Sequence, residues 1–93
     1  MPSLDVLWRH SLVDEPVEIL SEIDDARLEV RKIEIFRDRR KGFASGTESG
    51  GDTHLSVEAL PSLAEIVSDP QFEPHEISKH EFELAWKNRN SVR

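Results

Sequence analysis

Apolar residues recur at every second position through the first half of this chain and at helical spacing only near its end. Leu4, Val6, Trp8 and His10 fall on one side of an alternating pattern, with Asp5, Leu7 and Arg9 on the other, which predicts a first strand. Ser11 to Glu15 breaks the pattern, and Pro16 suits the opening of the next strand. In Val17 to Ile23, Val17, Ile19 and Ile23 point one way while Glu18, Leu20 and Glu22 point the other. Asp24-Asp25 signals a turn. The strand predicted from Ala26 to Phe36 changes phase: Leu28 and Val30 are apolar at even positions, Ile33 and Ile35 at odd ones. A one-residue slip exchanges the two faces of a strand, so a bulge or strong bend is expected near Arg31-Lys32.

Arg37 to Lys41 reads as a polar turn in which Gly42 supplies the left-handed position, followed by a short strand at Gly42–Ser45. Residues 46–53 hold three glycines and no apolar side chain and are expected to form a flexible surface loop. His54 to Leu60 is expected to form a last short strand, with Leu55 and Val57 facing one way. Ser62-x-x-Glu65 and Ser78-x-x-Glu81 each match a capping box, predicting one helix from Ser62 to the stop at Asp69-Pro70 and another from Ser78 to about Arg89. Phe82, Ala85 and Trp86 share a face of the second. Gln71 to Glu76 between them is expected to be an irregular connector in which Phe72 anchors, and the tail at 90–93 is expected to fray. The resulting class is α+β: an antiparallel meander of four to five strands followed by two C-terminal helices packed on one face, all within a single domain at 1–93.

Composition limits what this domain can do. With 93 residues it buries only about 60–65% of the surface its unfolded chain exposes, so its core is thin. There is no cysteine, which removes disulfides, thiol nucleophiles and zinc–cysteine sites and suits a reducing compartment. No apolar run reaches the length of a signal peptide or a membrane span, and a cytoplasmic location with no membrane contact is expected. The net charge of −7 is uneven: residues 1–30 carry eight acids and two bases, and residues 42–86 carry nine acids and one base. Six bases (Arg31, Lys32, Arg37, Arg39, Arg40 and Lys41) gather between them and form one candidate interaction surface. The overall sign disfavours nucleic acid and favours a basic protein partner.

Candidate chemistry is sparse. Trp8 and His10, with Glu22, Arg27 and Glu29, form a second candidate face, but a tryptophan anchoring the core and a histidine bonded at its margin explain the first two more simply. His54 beside Asp52 is not a catalytic pair. His75, Glu76 and His80 lack metal-site spacing, because Ser78 starts a helix between them and no third ligand converges. Glu22, Glu29 and Glu34 alternate with Arg27, Arg31 and Lys32, which favours ionised cross-strand pairs over a catalytic carboxylate pair. No nucleophile elbow, phosphate loop or dinucleotide fingerprint is present, and no cofactor is implied.

Several strings taken together resemble a known family. They are Trp8-x-His10, Asp14-Glu15-Pro16-Val17, Ser21-Glu22-x-Asp24, Arg27-x-Glu29-x-Arg31-Lys32-x-Glu34-x-Phe36, Pro61-x-Leu63-x-Glu65-Ile66 and Glu76-Ile77-Ser78-x-x-Glu81-Phe82-x-x-x-Trp86. The family is one of small bacterial proteins, domain of unknown function number 6881. The likeness runs from about Val6 to Trp86 and implies no established activity. One departure is that Arg39 follows Asp38 where the pattern has Asp-Gly, against a two-residue hairpin turn.

The leading functional expectation is a small non-enzymatic protein-interaction module with an acidic surface, in one form an immunity-type protein. The alternative is RNA contact through the basic turn at 37–41, and the third is a small enzyme on the charged sheet face. Exposed strand edges allow two copies to pair, so a monomer or weak homodimer is expected.

Overall fold

A computed structural model describes residues 2–90 as one antiparallel sheet with two helices. The strands are β1 (Ser3–Trp8), β2 (Glu18–Ile23), β3 (Glu29–Ile35), β4 (Lys41–Ser45), β5 (Ser49–Gly50) and β6 (Phe72–Ile77). The helices are α1 (Leu63–Val67) and α2 (Lys79–Lys87). The spatial order is β5-β4-β3-β2-β1-β6, so the meander runs outward from β1 and β6 returns to β1's free edge.

The α+β class holds, with three corrections. Gln71–Glu76 is not an irregular connector: β6 occupies most of it, pairing Phe72 with Trp8 and Ile77 with Ser3. Its sequence, Phe-Glu-Pro-His-Glu-Ile, lacks a clean alternation because only part of one face is covered, and Pro74 is tolerated on an edge strand. His54–Leu60 is not a strand: the segment has no regular structure, and Val57 is 93% exposed. The helices do not follow all the strands and do not share a face. Cross-strand partners lie on one side of a sheet, so Leu4, Ser21, Lys32 and Ala44 share one face, and Asp5, Leu20, Ile33 and Phe43 share the other. α2 packs on the second face, where Phe82 is fully buried against Leu20 and Ile33, with Phe43, Ile77, Ala85 and Trp86 around them. α1 lies over the first face, beside Leu4, Val6 and Ile19.

The phase change in β3 is a register shift one step before the expected place. Glu22 pairs with Arg31, but Ile23 pairs with Glu29, leaving Val30 as the extra residue. Arg31 therefore faces α2 while Glu29 faces the α1 side.

Both capping boxes form: Ser62 and Ser78 accept from the backbone N–H of Glu65 and Glu81, whose side chains reach back to the cap. Asp24 closes the β2–β3 turn by accepting from the N–H groups of Ala26 and Leu28. In the β3–β4 turn, Gly42 does not take the left-handed position. Arg39 does, at φ 72°, after a turn closed by Arg39 N–H on Phe36 O at 2.9 Å. Gly42 lies inside β4, where a β-carbon would overlap Thr53 Oγ1. That contact brings the glycine-rich segment back onto the sheet: Ser49–Gly50 pairs with β4, and Thr53 is buried. Within the tail at 90–93, Asn90 is exposed and positions 91–93 lie outside the described residues.

Two stability predictions follow from these elements. Arg39→Gly relieves the left-handed strain and should raise the unfolding free energy by about 0.5–1 kcal/mol in urea denaturation. Phe82→Ala should lower it by about 3–5 kcal/mol, because the cavity forms beneath α2 where the core has only one layer.

Candidate functional site

A concave cleft of about 540 Å³ lies on the α1 side of the sheet. Its floor is apolar, formed by Leu4 and Val6 of β1 and Ile19 of β2. Leu60, Ile66 and Phe72 continue that surface around the rim. β2 and β3 supply a polar wall of Ser21, Glu29 and Lys32, joined by Ser56, while Glu65 and Asp69 line the α1 side.

The polar wall is ordered by its own bonds. Glu29, whose side chain is 2% exposed, accepts from Ser56 N–H at 2.7 Å and from Ser21 Oγ at 3.1 Å. Lys32 Nζ stands 3.4 Å from Glu29 Oε1 and 3.9 Å from Glu34 Oε2, and donates to the His54 carbonyl at 3.2 Å. Glu34 in turn accepts from Thr53 Oγ1 at 2.8 Å. The irregular segment at 54–61 is therefore tied down although it forms no strand. Arg27 holds its far end: Nε donates to Leu60 O at 2.9 Å, Nη2 to Pro61 O at 2.6 Å, and the Arg27 carbonyl accepts from Leu60 N–H at 2.8 Å. Arg27 reaches that position through a left-handed backbone, φ 63°, at the end of the β2–β3 turn.

The opposite face is closed by charge and aromatic contacts. Arg31 donates from Nε to Glu22 Oε1 at 2.7 Å and from Nη2 to Glu83 Oε2 at 2.5 Å, so one guanidinium joins β2, β3 and α2. Its carbon lies 5.0 Å from the Phe82 ring centre and 5.3 Å from that of Trp86. The two carboxylates hold the Arg31 proton more tightly than usual, and Arg31 holds Glu83 below the ordinary carboxylate range. Arg89 covers Trp86 at 4.4 Å and bonds Glu48 at 2.6 Å.

The two residue sets singled out in the sequence do not form two sites. In the basic set, Arg31 faces α2 and Lys32 faces the cleft. Arg37 donates to His10 O at 2.8 Å, Lys41 donates to Asn88 O at 3.2 Å, and Arg40 lies over Phe36 at 4.5 Å. Arg39 is exposed at the turn. In the second set, Glu29 lines the cleft and Arg27 bonds the Leu60–Pro61 part of its wall, whereas Glu22 lies on the α2 side.

Trp8 is not the core anchor. It is half-buried at the end of β1, packed at tilted angles against His10 at 4.2 Å and Phe72 at 5.8 Å, and Phe82 takes the central place. His10 is bonded to backbone as expected: Nδ1 accepts from Leu12 N–H at 2.9 Å, so Nε2 carries the proton and donates to Pro16 O at 2.7 Å. Ser56 and Leu60 were not legible as site residues, because only the fold of the 54–61 segment brings them over the sheet. Ile66 and Phe72 carried a weak signal as apolar positions beside a cap and a connector.

This geometry sits within a recognised family. The sequence model described as Domain of unknown function (DUF6881) matches residues 3–91. The chain belongs to that family. No curated protein and no solved structure matches it. The chemistry open to this DUF6881 domain rests on its own side chains. No helix among the described residues is long and apolar enough to cross a membrane.

One carboxyl group stands out by its protonation. Glu18, on the α2 side of β2, is pushed up to about 7 by burial, then by its hydrogen bond with Asp5 and repulsion from it. Asp5 Oδ1 is buried with no partner among the described residues. Between the unfolded value of 4.5 and the folded value of about 7, the native state thus keeps a proton on Glu18 that the unfolded chain releases. That contribution is present below the unfolded value and is lost as pH rises through the folded one. Glu18→Gln should therefore be more stable than the parent by about 1 kcal/mol at pH 8, discounted for solvent screening, with the difference shrinking toward pH 4. Paired denaturant titrations across that range measure it.

Proposed function

We propose that this chain is a small non-enzymatic interaction module that binds a basic protein partner through its acidic surface. The observation that carries this reading is how the two signs of charge are used. Arg27, Arg31, Lys32, Arg37, Lys41 and Arg89 all donate to carboxylates or carbonyls of the chain itself. Asp14, Glu15, Asp25, Asp52, Glu58 and Glu76 are exposed and meet no cation among the described residues. Six carboxylates thus face outward without a partner among the described residues, while six of the twelve bases are engaged by the chain itself.

The same division weighs against the other two readings. RNA contact through the turn at 37–41 draws on few free bases, since Arg37 and Lys41 are engaged and Arg40 rests on Phe36. Catalysis on the sheet needs a raised carboxyl inside a concave site, but Glu18 lies on the α2 face and the cleft lies on the other. An immunity-type protein, whose acidic face stands in for nucleic acid against a basic toxin, is one form of the proposed module. A cytoplasmic location suits it, as does a cysteine-free chain.

The test is a pull-down from the source cell's own extract, with the intact chain as bait. A basic protein should be captured at about 50 mM salt and released by about 500 mM, as expected for screened surface charges. Glu58→Lys combined with Glu76→Lys should weaken capture at low salt. Retention that is indifferent to both salt and charge reversal overturns the electrostatic reading.

A further inference from the structure

We infer that the cleft beneath α1 is a binding site for a small organic cation, an apolar body that ends in a protonated amine. The site is separate from the exposed carboxylates argued to meet a protein partner. Its volume of about 540 Å³ falls in the range of small-molecule sites, about 300–1,000 Å³, which join mostly apolar walls to a few fixed polar groups. Leu4, Val6, Ile19 and Phe72 provide the apolar walls.

The sign of the ligand follows from the polar wall. Glu29, Glu65 and Asp69 line the cleft against a single base, Lys32. Lys32 Nζ is already surrounded by acceptors, with the His54 carbonyl at 3.2 Å, Glu29 at 3.4 Å and Glu34 at 3.9 Å. Its charge is therefore matched inside the protein, and an incoming anion would meet the remaining carboxylates. An ammonium group meets instead the Glu65 and Asp69 carboxylates across the cleft, while Glu29, held by Ser21, Ser56 and Lys32, adds to the negative field behind the polar wall. Glu29 is 2% exposed, so its field, shared with Lys32 and Glu34, acts on the cleft with less screening than in water. Preorganisation is built in, because Arg27 fixes the Leu60–Pro61 wall before any ligand arrives.

The experiment is an amide-resolved NMR titration of the intact chain with three probes that share one body: 4-phenylbutylamine, 4-phenylbutanol and 4-phenylbutyrate. The amine should shift the amides of Val6, Ile19, Lys32, Ser56 and Phe72, and should bind about tenfold more tightly than either the alcohol or the carboxylate. Glu29→Gln should weaken the amine by about tenfold and leave the alcohol unchanged. Should Glu29→Gln fail to fold, Asp69→Asn at the rim gives the same readout, with a smaller loss of about threefold. Equal or tighter binding of the carboxylate or the alcohol overturns the assignment of a cation. Shifts that fall outside the cleft, or none for the amine at about 10 mM, a weak-binding limit, overturn the site itself.

Discussion

One guanidinium ties β2, β3 and α2 to one another. Arg31 bonds Glu22 on the neighbouring strand and Glu83 on α2, and its flat face lies against Phe82 and Trp86. Glu22 is 5% exposed at its side chain and Arg31 19%, so these charges are largely removed from water. Removing one partner of such a pair leaves an uncompensated charge, which costs far more than the intact pair contributes. α2 thus docks by a contact that tolerates little displacement. The hydrophobic core beneath it, Leu20, Ile33 and Phe82, is small enough to depend on that placement.

Arg31 can reach α2 only because β3 carries an extra residue at Val30. In a regular strand Glu29 and Arg31 would share a face. The register shift turns Glu29 to the other side, where it orders Ser21, Lys32 and Ser56 into the polar wall of the cleft. One inserted residue therefore gives the sheet its two characters, one face closed by a helix and the other left concave under a short helix and a tied segment. Bulges that re-aim a side chain are features of this kind and not defects of the ladder. The dense charges of β2 and β3 divide between the faces as a consequence, with Glu22 and Arg31 on the α2 side and Glu29 and Lys32 on the α1 side.

Much of the frame was legible in the chain. Alternation located β1 to β4, and each Ser-x-x-Glu placed a helix start, because both signals depend on residues within a few positions of one another. The phase change between Val30 and Ile33 announced the bulge within one residue. β6 was not legible, since Phe72–Ile77 contains Pro74 and shows little alternation, and its pairing with β1 spans most of the chain. His54–Leu60 failed in the other direction: a brief alternation at Leu55 and Val57 was outweighed by side-chain ties to Lys32, Glu29 and Arg27, which hold the segment over the sheet without strand pairing. Trp8 misled for a related reason, as size alone marked it for the core while Phe82, carried by α2, occupies the centre.

By itself, then, the sequence determined the local elements, the excess of negative charge and the absence of cysteine chemistry, all properties written in neighbouring residues or in plain counts. Membership of the family was equally open to it, since the motifs are linear strings. The tertiary structure alone decided which face each charge occupies, how the basic cluster disperses, and that a cleft exists. Those outcomes depend on contacts between residues such as Arg27 and Leu60, or Arg31 and Glu83, that are far apart along the chain. No local pattern records such a contact, because it forms only when strand register and helix placement have both been set.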